Sequence, residues 1–150
     1  MIDASRVIPL FNRHFAKHVT HHIQCAVFSI DIVIYDWRTY PTSYGPNVTK
    51  FNRAIFDAVE RGVKVRCVLN SGSNAARLKI LGCQVAVSPE AKIIHSKLMI
   101  IDQNIVICGS HNYSESAFTS NEELSYMLIY ETKALEVNEY FERLFSVFSR

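Results

Sequence analysis

A chain of 150 residues is the size of one domain, and a single domain over residues 1–150 is expected. Hydrophobic residues make up 49% of it, which supplies a core and excludes a disordered chain. The formal net charge of +2 excludes neither a nucleic-acid nor a lipid partner, because a basic patch need not show in a total.

No apolar run approaches the roughly 18 residues needed to cross a bilayer. The longest candidate, residues 26–35, is interrupted by Ser29 and Asp31. Arg6, Pro9, Asn12, Arg13 and His14 break any secretory pattern near the start, so a soluble, cytoplasmic protein is expected. Cys25, Cys67, Cys83 and Cys108 form no CxxC pair, which argues against zinc and for buried, reduced thiols.

In chain order, the four-residue recurrence of Val7, Phe11, Phe15 and Val19 predicts an amphipathic helix over residues 5–22. His14, His18, His21 and His22 lie on or near it. His14 and His18 have metal-ligand spacing but no acidic or cysteine neighbour, so solvated histidines are expected. Residues 25–36 read as a central strand, apolar on both faces, with Asp31 an unusual passenger whose role is expected to be a hydrogen-bonded structural one. A loop over 37–47, with Pro41, Gly45 and Pro46, leads into a helix over 48–61 stopped by Gly62. A strand over 63–69, a short helix over 74–81 and a strand over 83–87 follow. This alternation argues for parallel pairing with helical crossovers. Residues 97–101 and 105–108 form a hairpin about Asp102-Gln103-Asn104. A helical turn after Asn112, a strand over 122–130 and a helix over 135–148 complete the chain.

The chemistry concentrates between Ile94 and Leu128. His95 and Lys97 stand at i and i+2 of an extended segment and so project to the same side. An imidazole beside an ammonium suits an anionic substrate. Gly109-Ser110-His111-Asn112 follows the hairpin and offers two neutral donors, Ser110 and Asn112, beside a glycine that permits close backbone approach. Asn121-Glu122-Glu123 follows. Asp102 sits in a turn, where Asp is favoured for its own sake.

These residues resemble the signature of the phospholipase D superfamily. His95, Lys97 and Asp102 match H-x-K-x4-D; Gly109, Ser110 and Asn112 match G-S-x-N; Asn121 and Glu123 match N-x-E. The chain looks most like the short bacterial endonucleases of that superfamily, which carry one motif per chain. The resemblance implies a phospholipase D-like α/β fold, with a mixed, largely parallel sheet flanked by helices on both faces. It implies His95, Lys97 and Glu123 as catalytic residues, with Glu123 orienting the imidazole. Lys97, Ser110 and Asn112 would bind phosphate, while Asp102, Gly109 and Asn121 would be structural. His111 fills a variable position and is left without a role.

The implied reaction is metal-independent phosphodiester hydrolysis through a phosphohistidine on His95, with no cofactor. One imidazole cannot both attack and protonate the leaving group, so a homodimer with the site on its two-fold axis is expected. Nucleic acid is the leading substrate, DNA first, with Arg38, Lys50, Arg53, Arg61, Lys64 and Arg66 as possible backbone contacts. Two alternatives stand beside it. One is a phospholipase or phosphatidyl transferase using the first helix at a lipid surface; the other is a non-catalytic scaffold of the same fold.

Overall fold

The structure is a computed structural model that describes residues 6–39 and 45–150. Residue 5 of the first expected helix and residues 40–44 of the expected loop lie outside that range.

The expected first helix is two elements. Val7–Phe11 is strand β1 and His14–Cys25 is helix α1. They are separated at Asn12, whose φ of 46° is a left-handed conformation that Asn tolerates better than most residues. Apolar recurrence every four residues runs through both elements and hides the break. Pro9 belongs to an edge strand, where a missing N–H costs nothing.

The remaining elements follow the expected order. Strand β2 is Ser29–Ile34, helix α2 Pro46–Glu60, strand β3 Lys64–Leu69, helix α3 Ala75–Ile80 and strand β4 Gln84–Val87. Strands β5 (Lys97–Ile101) and β6 (Ile105–Gly109) form the hairpin. Helix α4 (Glu115–Thr119), strand β7 (Leu124–Ile129) and helix α5 (Glu131–Phe148) complete the fold. β2 is shorter than predicted, which leaves Val27 and Phe28 exposed ahead of it. β7 starts two residues late, so Glu122 and Glu123 lie in the loop before it. α5 starts four residues early, and Leu135, expected on its apolar face, is exposed.

One seven-stranded sheet runs in the order β1-β7-β6-β5-β2-β3-β4. The class is the mixed α/β fold expected, but parallel pairing is confined to β2–β3 and β3–β4. The other four pairings are antiparallel, fewer parallel contacts than the expected "largely parallel". For β5 and β6 the short connection is the reason: a three-residue link joins them, whereas parallel neighbours need a crossover. Asp102 and Gln103 both have positive φ, 52° and 54°, as a tight I′-type turn requires.

Helices cover both faces. α1, α2 and α4 bury Phe15, Val19, Ile23, Phe51, Ile55 and Phe118 against Ile30, Ile32 and Ile34. α5 buries Ala134 and Phe141 against Val33, Val68, Leu98 and Ile100. Alternation along β2 explains the division. Of the cysteines, Cys67 and Cys83 are buried, Cys108 is half-buried and Cys25 is exposed, against the expectation of burial.

Asp31 belongs to the α5 face. The parallel register sets it opposite Arg66, whose Nε and Nη2 donate to its two carboxylate oxygens at 2.7 and 2.9 Å. Arg66 also donates to Glu142 of α5 and lies 4.8 Å from the Phe141 ring centroid. Removing Asp31 leaves Arg66 only the half-exposed Glu142 as a partner, and loss of one member of a buried pair costs up to about 3–5 kcal/mol. Asp31→Ala should therefore lower the urea midpoint by that equivalent, and an Asp31→Leu/Arg66→Met double variant should recover most of the loss. A single-variant loss below about 1 kcal/mol would show that the pair is not needed.

Candidate active site

Strand direction gathers the functional residues. β2 and β6 end where β5 and β7 begin, as the pairs Ile34 with Lys97 and Gly109 with Ser125 record. β1 also ends there, Phe11 facing Leu124. One end of the sheet thus carries residues from five strands.

His95 precedes β5 and is exposed, while its neighbour Ile94 is buried. Asn70, just past β3, clamps the backbone at Ile94. Its Oδ1 accepts from Ile94 N at 2.7 Å, and its Nδ2 donates to Ile94 O at 2.9 Å and Tyr35 O at 3.1 Å. Sequence reasoning missed Asn70 because nothing local links it to His95. The Tyr35 ring lies 4.9 Å from the His95 ring, and Lys97 Nζ sits 5.3 Å from the Tyr35 centroid. Lys97 Nζ donates to His95 O at 2.8 Å and lies 3.3 Å from each imidazole nitrogen. Partial burial lowers the Lys97 pKa, and the charge of Glu123 pulls against that. His95 and Lys97 are therefore together, and the charge of Glu123 reaches Lys97.

The second group forms around Glu123. Its carboxylate accepts from the Ser110 hydroxyl and, at 3.2 Å, from Asn121 Nδ2. Ser110 Oγ accepts from Leu124 N at 3.0 Å, so it is tied to the start of β7. Asn112 Oδ1 accepts from Asp36 N at 3.2 Å, joining the β6 loop to the end of β2. Among the described residues, no hydrogen bond joins Glu123 to His95 within one chain. Gly109 is placed by packing: a Cβ there would lie 2.4 Å from Ser125 Cα. The close approach is therefore to the β7 backbone. Asp102 lies at the far end of the sheet. Its carboxylate accepts from the N–H groups of Val27, Phe28 and Ser29, at 2.7 to 3.2 Å, and ties the hairpin to the start of β2.

A third group was not legible in the sequence. His111 is buried at 1% exposure and stacked on Phe15 at 4.3 Å. Its Nε2 lies 2.9 Å from Asn12 O and its Nδ1 2.7 Å from Ser125 Oγ. A carbonyl can only accept, so Nε2 carries the proton and Nδ1 accepts from the serine. Burial lowers its pKa, opposed by the bond to Asn12 and the charge of Glu123. Asn12 Oδ1 in turn accepts from Glu123 N at 2.6 Å. The left-handed turn after β1 thus holds the Glu123 backbone from below.

Of the six basic residues expected to meet a substrate backbone, four have other partners. Arg66 is buried, Arg61 donates to Ile23 O and Ala26 O, and Arg38 and Arg53 form exposed pairs with Asp36 and Asp57, each at 3.0 Å. Lys64 opens β3 at the end remote from His95. Lys50 and Arg53 are exposed on α2. Among the described residues, no three His, Cys, Asp or Glu side chains converge to hold a metal.

With this geometry in view, the likenesses to known proteins fall into place. The family profile described as "Cardiolipin synthase, PLD-like domain" matches residues 19–145. The chain belongs to this phospholipase D-like family. It is 33% identical over 113 residues to a phospholipase D of Rickettsia prowazekii, covering 71% of this chain and 54% of that protein. It is 28% identical over 106 residues to the mitochondrial cardiolipin hydrolase of Canis lupus familiaris, covering 67% and 42%. The chain thus spans about half the length of the curated relatives it matches. Two solved structures share its fold across nearly their whole length. NucT from Helicobacter pylori has a TM-score of 0.75 at 22% identity, covering 92% of this chain and 94% of that one. Nuc, a phospholipase D family member from Salmonella typhimurium, has a TM-score of 0.76 at 23% identity, covering 93% of each.

The buried neutral His111 sets a pH dependence. Its folded pKa is below the ordinary 6.5, so below about pH 6.5 the unfolded chain binds a proton that the native state refuses. Stability is full above that value and falls with acid, by at most about 1.4 kcal/mol per pH unit. His22 shifts in the same sense but is common to both proteins compared. Urea midpoints between about pH 5 and 8 should flatten in His111→Gln relative to the parent. Equal slopes would mean that His111 is protonated in the fold.

Proposed function

We propose that the chain is a metal-independent phosphodiesterase that cleaves nucleic acid through a phosphohistidine on His95, two copies of the chain building one site. The observation that carries this reading is the adjacency of His95 and Lys97, 3.3 Å apart, at the sheet end that also holds Glu123, Ser110 and Asn112.

Attack on phosphorus needs a neutral imidazole with a free nitrogen lone pair. His95 is exposed, so a diester can reach it. The P–N bond forms as the bond to the leaving oxygen breaks. Lys97 neutralises charge on the non-bridging oxygens as the transition state develops, with the Asn112 amide as a neutral donor. Ser110, expected to bind phosphate, gives its one hydroxyl proton to Glu123 and would have to release it to serve there. The leaving oxygen takes its proton from the partner's His95, worth roughly 10²–10⁴-fold. That ring, now neutral, deprotonates the water that breaks the P–N bond and frees His95. Glu123, held by Ser110 and Asn121, is assigned to the far ring nitrogen of an imidazole at the assembled site, fixing its tautomer. Asp102 and Gly109 hold the strands that present these groups. The two-histidine cycle balances without a metal ion.

Nucleic acid is favoured by the likeness to the short single-motif endonucleases of the superfamily. A lipid diester is the second reading, favoured by the names of the curated relatives, phospholipase D and cardiolipin hydrolase. The apolar residues of α1 do not favour a lipid surface: Phe15, Val19 and Ile23 are buried in the core.

The test is hydrolysis, in excess EDTA, of labelled single- and double-stranded DNA, RNA and cardiolipin vesicles. Nucleic-acid cleavage is expected, and His95→Ala should lower it by more than about 10³-fold with an unchanged circular dichroism spectrum. Turnover of vesicles alone would transfer the assignment to lipid, and loss in EDTA restored by magnesium would point to two-metal chemistry. A mixing experiment tests the shared site. With a ninefold excess of His95→Ala chains, activity per wild-type chain should fall about tenfold after subunit exchange. Unchanged activity per wild-type chain would place a complete site in each copy.

A further inference from the structure

The two helical layers carry charge unequally. The sequence has no Asp or Glu between positions 4 and 30 or between 37 and 56. α1 and the first half of α2 fall in those stretches and carry Lys17, Lys50 and Arg53, with Arg13 at the α1 N-cap. α5, on the opposite face, carries Glu136, Glu139 and Glu142 against Lys133 and Arg143.

The cations of the first layer line a groove between α1 and α2. Arg13, Lys17 and His21 stand at successive four-residue steps on α1, about 6 Å apart along its axis. Asn47 and Lys50 face them from α2. The groove holds about 190 Å³ and runs on, past Gln24 and Lys50, into an open hollow of about 560 Å³ bordered by Arg53. Among the described residues, no carboxylate lies within 4.0 Å of Arg13, Lys17 or Lys50; Arg53 pairs with Asp57 at 3.0 Å in an exposed pair of little weight.

The Arg13–Asn47 end of the groove lies at the sheet end that carries the candidate site, where Glu122 and Glu115 accept from Asn12 and Asn47. Arg13 follows Asn12, whose side chain holds Glu123 N. Asn47 and Val48, at the other wall, donate to Glu115, three residues past Asn112. A polyanion reaching the site from this side passes along the groove.

We infer that the α1–α2 groove is an accessory track for the phosphate backbone of a nucleic-acid strand whose scissile bond lies at His95. Flexible cations without a shaped pocket suit a repeating phosphate chain, read without regard to sequence. The inference rests on the nucleic-acid reading of the active site.

The experiment compares the parent with Arg13→Ala/Lys17→Ala/Lys50→Ala. Binding of a single-stranded DNA of about 30 nucleotides is followed by fluorescence anisotropy in a His95→Ala background, from about 50 to 300 mM salt. Turnover of bis(p-nitrophenyl) phosphate, too small to span groove and site, is measured with His95 intact. The triple variant should bind DNA at least about tenfold more weakly at low salt. Its log–log salt slope should flatten by about 2, near 0.7 for each cation removed. Its kcat/KM on the small diester should stay within about twofold, and Lys17→Arg/Lys50→Arg should bind like the parent. Unchanged DNA affinity and slope in a parent that cleaves DNA would overturn the track. So would equal losses on DNA and the small diester, or a loss confined to cardiolipin vesicles. A parent that turns over the small diester but neither binds nor cleaves DNA would instead overturn the nucleic-acid reading itself.

Discussion

The register of the antiparallel half of the sheet decides whether there is a site at all. Lys97 faces Ile34, Cys108 faces Leu98, and Ser125 faces Gly109. Slipping β5 by one residue would turn Lys97 to the opposite face and part it from Glu123. Two devices at opposite ends hold the register. At the far end, the Asp102 carboxylate gathers three N–H groups at the start of β2 and fixes β5 against it. At the near end, Gly109 lets β7 approach so closely that any side chain would collide with the Ser125 backbone. Two residues of the sequence signature thus act on geometry alone, one of them at the end of the sheet remote from the imidazole.

The reacting groups were legible because their chemistry is local in sequence. His95 and Lys97 are two residues apart, as are Ser110 and Asn112, and period-two alternation places each pair on one side. Asp31 was legible as an anomaly. Its partner was not, because Arg66 lies 35 residues on and meets it only through parallel pairing. The same limit hid the supports of the site. Asn70 meets Ile94, 24 residues further along the chain, and Asn12 and His111 are 99 apart. No spacing rule connects such residues; only the assembled sheet does. β1 was misread for a different reason. Its apolar residues fit a helical and a strand period equally well, and the vacant edge beside β7 decided between them.

The buried network around His111 shows how a half-buried carboxylate is held without being taken into the core. Glu123 presents its side chain to Ser110 and Asn121 while its backbone N–H is fixed to Asn12. Asn12 is fixed in turn by a neutral histidine packed on Phe15. Rigidity comes from the core and reaction from the surface, a division that suits a group required to keep its place while substrate exchanges.

That arrangement has an electrostatic consequence. Lys97 is the cation beside His95, and the charge of Glu123 bears on it. Each chain therefore brings to the site one positive and one negative side chain that largely cancel at a distance, and a second copy repeats the cancellation. Such a site can grip a phosphate at contact range but exerts little pull on a distant anion, because its field falls off as that of a dipole. Attraction over a Debye length, about 8–10 Å in ordinary buffers, has to come from charge outside it. The α1–α2 layer carries that charge at the same end of the sheet, whereas the charges of α5 on the other face nearly balance, Glu142 pairing with Arg66 and Glu136 with Lys133. Long-range capture and short-range chemistry thus fall to different residues, and the cations that draw the substrate in need not touch the bond that breaks.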